Sequence, residues 1–484
     1  MTRVTAGLRI VRVVAERLDP TAPITVGAIA RELGMAVSGA SRLCTELEGI
    51  GLLERAEGYG AYRLGRGAIR LSGAAAAPFA RSVRFALTLA AQQTGETVFL
   101  AAGPAGSMRV VASVESLWTL HSPADVGELI ADGPASNEPG AIEPDQQSAV
   151  VRVADRPAAA GIDAAEARYV ESTVGMTIEV AAPVVSPGGE CVAVLAVRLP
   201  VNRADQNLSR ARHAVAAAKR SIERDIEEWH ARPHPGPDSE EGSTPAPAAL
   251  DAAFRILRHL AIGRDSIAGT ARATGLRPDR TQRLIESCRR AGLVWASHDR
   301  GEFQLGWIVQ GWYRAASVPT MVEHGGPRVA EAANRTLTCG FITILKGMRS
   351  FTIVEELGLA GEGLRMTPWL GRAHPMIGSD GGPTLTMDLG AEEIALLFPA
   401  RHTPQELQRF LTHAQLVARR GVLTMEAFDD AGLVSISAPV RDASGSVIAA
   451  ACIVGTTAYM RANLPEFEEA TRRLADEVTV LLQP

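Results

Sequence analysis

Arg277, Arg280, Gln282 and Arg283 stand within seven residues of one another. A guanidinium can hold O6 and N7 of a guanine through two parallel hydrogen bonds, and a glutamine amide can do the same for N6 and N7 of an adenine. An earlier stretch carries Ser38, Ser41 and Arg42, where hydroxyls suit phosphate oxygens and the arginine again suits a base edge. The two stretches, GMAVSGASRLCTELEGIGLL (34–53) and GLRPDRTQRLIESCRRAGLV (275–294), share their punctuation. Gly34 and Gly275, Arg42 and Arg283, and Gly51 and Gly292 are each 241 positions apart. The same offset relates Tyr62 to Phe303, Leu64 to Leu305 and Gly65 to Gly306, so no insertion interrupts the repeat there. Arg55, Tyr59 and Arg63 in the first copy, and His298 and Arg300 in the second, offer further contacts to a backbone or a minor groove.

Charge is distributed to match. The net charge of the 484 residues is −5, yet residues 1–72 hold ten Arg against seven acidic residues, and residues 247–316 hold eleven against six. Two basic islands of +3 and +5 therefore sit on a body of −13. The length suggests three or four domains. Five cysteines without a C-x-x-C pair support neither a disulfide framework nor a zinc site, and read as reduced thiols of a cytoplasmic protein. Cys44 and Cys288 fall on inward helix positions and read as buried structural thiols. No apolar run approaches the ~18 residues of a membrane span. MTRVTAGLRIVRVVAERLDP reads as an amphipathic helix rather than a signal peptide.

The elements that position the arginines follow from periodicity. AGLRIVRVVAERL and ALDAAFRILRHLA predict a first helix in each copy. TVGAIARELG, capped by Thr25, and SIAGTARATG, capped by Ser266, predict a second helix that ends at glycine. Ser38 and Asp279 are placed to cap a third, with Ala40, Leu43 and Leu47, or Thr281, Leu284 and Cys288, facing inward. GLLERAEGYGAYRLG and GLVWASHDRGEFQLG then read as strand pairs around a turn. This order predicts a winged helix-turn-helix, twice. ARPHPGPDSEEGSTPAPAA reads as a linker between the copies, with His230 and His234 as solvated linker residues. Farther along, IEVAAPVVSPGGECVAVLAV (178–197) and VSISAPVRDASGSVIAAACIV (434–454) match in character at an offset of 256.

The stretch LRIVRVVAERLDPTAPITVGAIARELGMAVSGASRLCTELEGIGLLERAEGYGAYRLG, with its echo at 250–306, resembles the isocitrate-lyase-regulator (IclR) family of bacterial transcription factors. LGRAHPMIGSDGGPTL (370–385) and RRGVLTMEAFDDAGLVSISAPVRDASGSVIAAACIVG (419–455) carry the resemblance into the second half. The resemblance implies an α+β fold: two copies of a winged helix-turn-helix domain, each followed by a GAF-like α/β effector-binding domain. The expected domains are residues 1–66, a first winged helix-turn-helix; 67–230, a linker helix and a first, degenerate effector-type domain; 231–247, a flexible linker; 248–306, a second winged helix-turn-helix; and 307–484, a linker helix and second effector domain. GRGAIRLSGAA and GWIVQGWYRAA stand at the two linker helices, where Trp307 and Trp312 serve packing.

The implied function is repression or activation of nearby operons, with repression the expected direction, through operator DNA and a small-molecule effector. The implied assembly is a homodimer of tandem chains or a monomeric pseudo-dimer. The effector is expected in the second α/β domain, among His374, Met376, Gly378, Ser379, Met425, Ser435, Ser437, Cys452 and Val454. Small residues there let a backbone approach the ligand, and Ser hydroxyls suit a carboxylate; a carboxylate or aromatic metabolite is the expected effector. The family often has a Cys where Ser435 stands and an acidic residue near Met425. In the first copy GELIADGPASNEPGAIEPD replaces the central loop, and Arg198 stands where the second copy has Val454, so a pocket there is expected to be smaller or filled.

Catalytic motifs do not occur. The chain has no G-x-S-x-G, no H-E-x-x-H, no Walker-A loop and no G-x-G-x-x-G after a strand, and no cofactor is expected. An enzyme with an unrecognised site in the α/β domains, or a protein-interaction module with decayed reading helices, are the alternatives.

Overall fold

An apolar stripe at helical spacing needs a partner surface. Helix α1 (Arg3–Ala15) has one, and its Leu8, Ile10, Val11 and Val14 are buried. The computed structural model describes residues 2–104, 106–130, 147–155, 169–231, 248–297, 301–357, 366–379, 381–398, 402–426 and 432–483. The chain divides into two compact units, Met1–Ala316 and Ser317–Pro484.

In the first unit α1 is followed by β1 (Ile24–Thr25), α2 (Val26–Glu32), α3 (Val37–Gly49), β2 (Leu53–Arg55) and β3 (Ala61–Leu64). The strands form an antiparallel sheet of order β1-β3-β2, with Ile24 opposite Tyr62 and Leu53 opposite Leu64. Thr25 caps α2 as expected, its hydroxyl accepting from the Ala28 N–H at 3.3 Å. Gly34 and Gly51 hold φ of 62° and 76°, the left-handed turns that release the chain from α2 and α3.

Next come α4 (Arg66–Ala76), α5 (Ala80–Thr94), β4 (Thr97–Ala102), β5 (Arg109–Val114), α6 (Ala149–Ala154), β6 (Val170–Val174), β7 (Thr177–Val185), β8 (Cys191–Pro200) and the long α7 (Ala204–Ala231). The five strands are antiparallel in the order β5-β4-β8-β7-β6. Side chains alternate between the faces. Val98, Leu100, Val180, Ala182, Leu195 and Val197 meet α5 and α7, while Phe99, Ala101, Ala181, Val194 and Ala196 meet α6. The Leu129 backbone bridges to Arg109 at the free edge of β5, so the first copy does have a chain segment there. Most of GELIADGPASNEPGAIEPD lies outside the described residues, but α6 follows it, a helix the sequence did not disclose.

The unit closes with α8 (Ala249–Ile262), β9 (Asp265–Ser266), α9 (Ile267–Thr274), α10 (Pro278–Arg290), β10 (Val294–Ala296) and β11 (Glu302–Leu305), a sheet of order β9-β11-β10. Ser266 caps α9 through the Gly269 N–H at 3.1 Å, and Gly275 ends it at φ 67°. A 3₁₀ turn, Trp307–Gly311, precedes α11 (Trp312–Thr320), so the second linker helix starts later than expected; Trp307 and Trp312 are buried.

Two expectations need correction. Ser38 and Asp279 do not cap the third helices, because α3 and α10 begin earlier, with Ala36 and Arg277 at the cap and no side-chain bond to either. Proline fits the first helical position, which pulls the start of α10 back to Pro278. His230 is not a solvated linker residue, because α7 reaches Ala231 and places the His230 ring Nδ1 3.1 Å from the Arg264 guanidinium. His234 lies outside the described residues.

The three-helix segments touch directly. The Arg12 guanidinium donates to the Ala291 carbonyl (2.8 Å) and the Thr5 hydroxyl to the Ser287 carbonyl (3.3 Å), which seats α1 on the end of α10. Gly7 lies against Leu250 so closely that a Cβ there would come within 2.7 Å of it.

The second unit contains α12 (Gly326–Thr336), β12 (Cys339–Lys346), β13 (Arg349–Leu357), β14 (Ala373–Pro375), α13 (Gly381–Thr386), α14 (Ala391–Leu397), α15 (Pro404–Arg420), β15 (Leu423–Glu426), β16 (Leu433–Arg441), β17 (Val447–Thr456), α16 (Thr457–Ala462) and α17 (Leu464–Leu482). Its six strands run antiparallel in the order β14-β13-β12-β17-β16-β15. Ile342, Ile344, Ala438, Val440, Ala449 and Ala451 form a core with Val329 and Ala332 of α12 and Leu474 and Val478 of α17, while α13 lies over the other face. Both units thus mix helices with antiparallel sheet. Among the described residues no helix is long and apolar enough to cross a membrane.

Candidate nucleic-acid interface and small-molecule site

Helix α3 buries Ala40, Leu43, Cys44 and Leu47, and the 3.6-residue period then turns Ser38, Ser41 and Arg42 outward, where all three are exposed. Helix α10 buries Thr281, Leu284, Ile285 and Cys288, and leaves Arg277, Gln282 and Arg283 exposed and Arg280 half-buried. The Arg283 Nε donates to the Asp279 carbonyl (3.2 Å), which steadies the side chain along the first turn. Asp279 is the one acidic residue in that turn; Arg289 and Arg290 both pair with Glu286 at the other end. The exposed start of α10 is therefore cationic and that of α3 is mainly hydroxyl-bearing.

The hairpins differ as well. Tyr59 stands fully exposed at the β2–β3 tip, between Gly58 (φ 103°) and Gly60 (φ 64°). Arg55 pairs with Glu48 on α3 (3.0 Å) and Arg63 with Glu54 on β2 (3.4 Å), so one arginine is tied to the third helix and the other across the hairpin. His298 and Arg300 lie outside the described residues. The stem of the second hairpin is anchored: the Ser297 hydroxyl donates to Glu190 in the β7–β8 turn (3.2 Å), and Arg264 pairs with Glu302 (3.0 Å).

Antiparallel pairing gathers most of the other group of residues. Met425, Ser435, Val454 and Cys339 form one row across four strands, and Leu423, Ser437, Cys452 and Phe341 form the next row on the same face. Helix α13 covers this face, with the Thr384 hydroxyl 2.7 Å from that of Ser437. The Ser435, Thr343 and Thr352 hydroxyls are buried and make no hydrogen bond among the described residues. A buried hydroxyl without a partner costs about 1–3 kcal/mol, so three on one face mark a surface short of polar partners.

His374 sits on β14 opposite Ser350, at the far edge from Ser435. Gly378 holds φ 91°, and the Ser379 hydroxyl accepts from the Gly382 N–H (3.2 Å). A side chain at Gly382 would collide with the Met376 carbonyl, 2.0 Å from its Cβ. Met376 is buried and lines a cavity of about 100 Å³ with Met348, Arg349, Pro375, Ile377, Phe398 and His402, which none of the other eight expected residues joins. Sequence reasoning missed Trp369, which stacks on Phe341 (centroids 5.1 Å apart, planes at 23°) and lies 4.9 Å from the His374 ring. Its loop is held by the Glu355 carboxylate, which accepts from the Trp369 and Leu370 N–H groups at 2.7 and 2.9 Å. No short motif announces a loop tryptophan that meets a strand phenylalanine.

Burial pushes the Cys44 thiol up to about 11 and the Cys288 thiol up to about 12, which makes both poor nucleophiles. Among the described residues no group of His, Cys, Asp and Glu is arranged to hold a metal ion.

No protein-family model and no curated protein matches the chain. It is similar to several solved structures, each over about half its length. One is a transcriptional regulator of Rhodococcus sp. described as IclR-family, at 19% identity and a TM-score of 0.38 over 50% of this chain and 98% of that one. HmgR of Pseudomonas aeruginosa gives 18% and 0.35 over 49% and 98%. The repressor BlcR of Agrobacterium tumefaciens gives 21% and 0.33 over 49% and 97%.

Proposed function

We propose that the chain is a DNA-binding transcriptional regulator, most simply a repressor, of the IclR type in tandem form. Residues 1–66 and 248–306 are its winged helix-turn-helix domains and 67–230 and 307–484 its effector-type domains, with residues 231–247 linking the halves in a cytoplasmic protein. The observation that carries this reading is the matched exposure of Ser38, Ser41 and Arg42 on α3 and of Arg277, Gln282 and Arg283 on α10, each on a third helix that a turn and two-stranded hairpin frame. A short helix with a polar first turn fits the major groove, and hairpin residues such as Tyr59, with Arg55, Arg63 and Arg300, reach the flanking backbone.

A small metabolite acts through the face of the second sheet that carries Ser435, Ser437, Cys452, Val454 and Met425, with contributions from His374 on the far edge strand and from Gly378 and Ser379 ahead of α13. The unpaired Ser435 hydroxyl favours a ligand with polar atoms. One chain supplies both DNA-reading helices as a pseudo-dimer, and two chains can pair further. Gel retardation of the DNA upstream of its own gene tests the reading. A specific, salt-sensitive shift is expected; turnover of a small molecule, or protein capture with no shift, would favour an enzyme or an interaction module instead.

A further inference from the structure

The two α/β domains differ sharply at one strand position. In the first, Arg198 on β8 lies opposite Thr97 and Glu179. In the second, Val454 on β17 lies opposite Cys339 and Ser435. The pairing makes Arg198 the counterpart of Val454 and Glu179 that of Ser435. The Arg198 Nε donates to Glu179 (2.8 Å), and one terminal nitrogen donates to Glu128 (2.9 Å) and to the Pro123 carbonyl (2.7 Å). The guanidinium lies 4.7 Å from the centre of the Phe99 ring, a cation–π arrangement. The other Glu179 oxygen accepts from the Ser148 hydroxyl (2.5 Å) and the Ala149 N–H (2.9 Å), which ties the start of α6 to the same cluster. Arg198 is 12% exposed and Glu179 4%, so the Arg198–Glu179 pair is buried, while Glu128 at 31% reaches the surface. At the matching place in the second domain stand an uncharged valine and a serine whose buried hydroxyl has no partner among the described residues.

We propose that the first α/β domain carries its own ligand: the Arg198 guanidinium fills, in that domain, the place a separate small molecule takes in the second. This rests on the effector reading only for the comparison with the second domain; the clamp in the first domain stands on its own contacts. The recognised chemistry is a planar monocation held by two carboxylates, a carbonyl and an aromatic face. With that group covalently supplied, α6 stays closed over the sheet, and the first domain is fixed in one state while the second responds.

Three full-length proteins test this: wild type, Arg198→Val, and Glu179→Ser/Arg198→Val, which takes both residues from the second domain. Arg198→Val leaves Glu179 buried without its cation, and its melting temperature is expected to fall by roughly 5 °C or more. The double variant removes the stranded charge and should recover at least half of that. Ethylguanidinium at millimolar concentration should raise the melting temperature of Arg198→Val and restore hydrogen-exchange protection to α6, with no such effect on wild type or the double variant. If Arg198→Val can be isolated only with ethylguanidinium present, unfolding on its removal is the same result. Unchanged α6 protection in Arg198→Val, a double variant less stable than the single, or equal rescue by tetramethylammonium would each overturn the proposal. None of these readouts involves DNA or an effector, so failure of the regulatory reading would be seen separately.

Discussion

The Cys288 thiol, fully enclosed on the inner face of α10 and pushed up to about 12, is neutral at physiological pH, as is Cys44 at about 11. In the unfolded chain a thiol ionises near pH 8.5. A folded-state value above the unfolded one favours the protonated native form, so the stabilisation is complete below pH ~8.5 and is lost as pH climbs toward 12. Denaturant unfolding at pH 7 and pH 10 should therefore show about 1–2 kcal/mol of alkaline loss from Cys288, which Cys288→Ala removes while lowering stability at pH 7. Equal alkaline loss in wild type and variant would show that the thiol stays protonated in neither or both states. The inward positions Ala40, Leu43, Leu47, Thr281, Leu284 and Cys288 were legible because a helix repeats every 3.6 residues and burial repeats with it. Trp369 over Phe341 was not legible, since a contact between a loop and a strand leaves no period in the sequence.

The readable elements were those with an apolar period, a capping hydroxyl or a terminal glycine, the short α2 and α9 among them. Helices α1, α3, α8 and α10 appear where the apolar spacing placed them, and the Thr25 and Ser266 caps hold, whereas α6 at six residues and β1 and β9 at two lie below what periodicity can reveal. The third helices carry the sharpest difference between the halves. Because α10 offers arginines and a glutamine where α3 offers serines, Arg280→Ala and Arg283→Ala should each weaken specific DNA binding more than Ser38→Ala or Ser41→Ala, by about 1–3 kcal/mol per lost base contact. Quantitative gel shifts with specific and scrambled duplexes measure this. Equal losses from both helices would reject the ranking.

Across the first unit, α1 and α10 are joined through Arg12, which also pairs with the buried Glu16 (2.5 Å), itself 3.4 Å from Arg109. Arg12→Ala strips one cation from a carboxylate that is 7% exposed, and should cost about 3 kcal/mol in denaturant unfolding, less whatever Arg109 recovers. The proposed pairing of two unlike DNA-reading helices in one chain calls for an operator with unlike half-sites, and footprinting should show an imperfect palindrome. Identical half-sites filled by the same helix from separate chains would contradict the pseudo-dimer. The central claim, that α3 and α10 hold DNA, is tested most directly by fluorescence anisotropy of a labelled upstream duplex across a salt series, with wild type beside Arg42→Ala/Arg283→Ala. The expected result is a log–log slope of about −4 or steeper for wild type, since each neutralised phosphate contributes about −0.9, and at least a tenfold weaker complex for the variant. Wild-type and variant proteins that bind alike, or a wild type that does not bind at all, would contradict it.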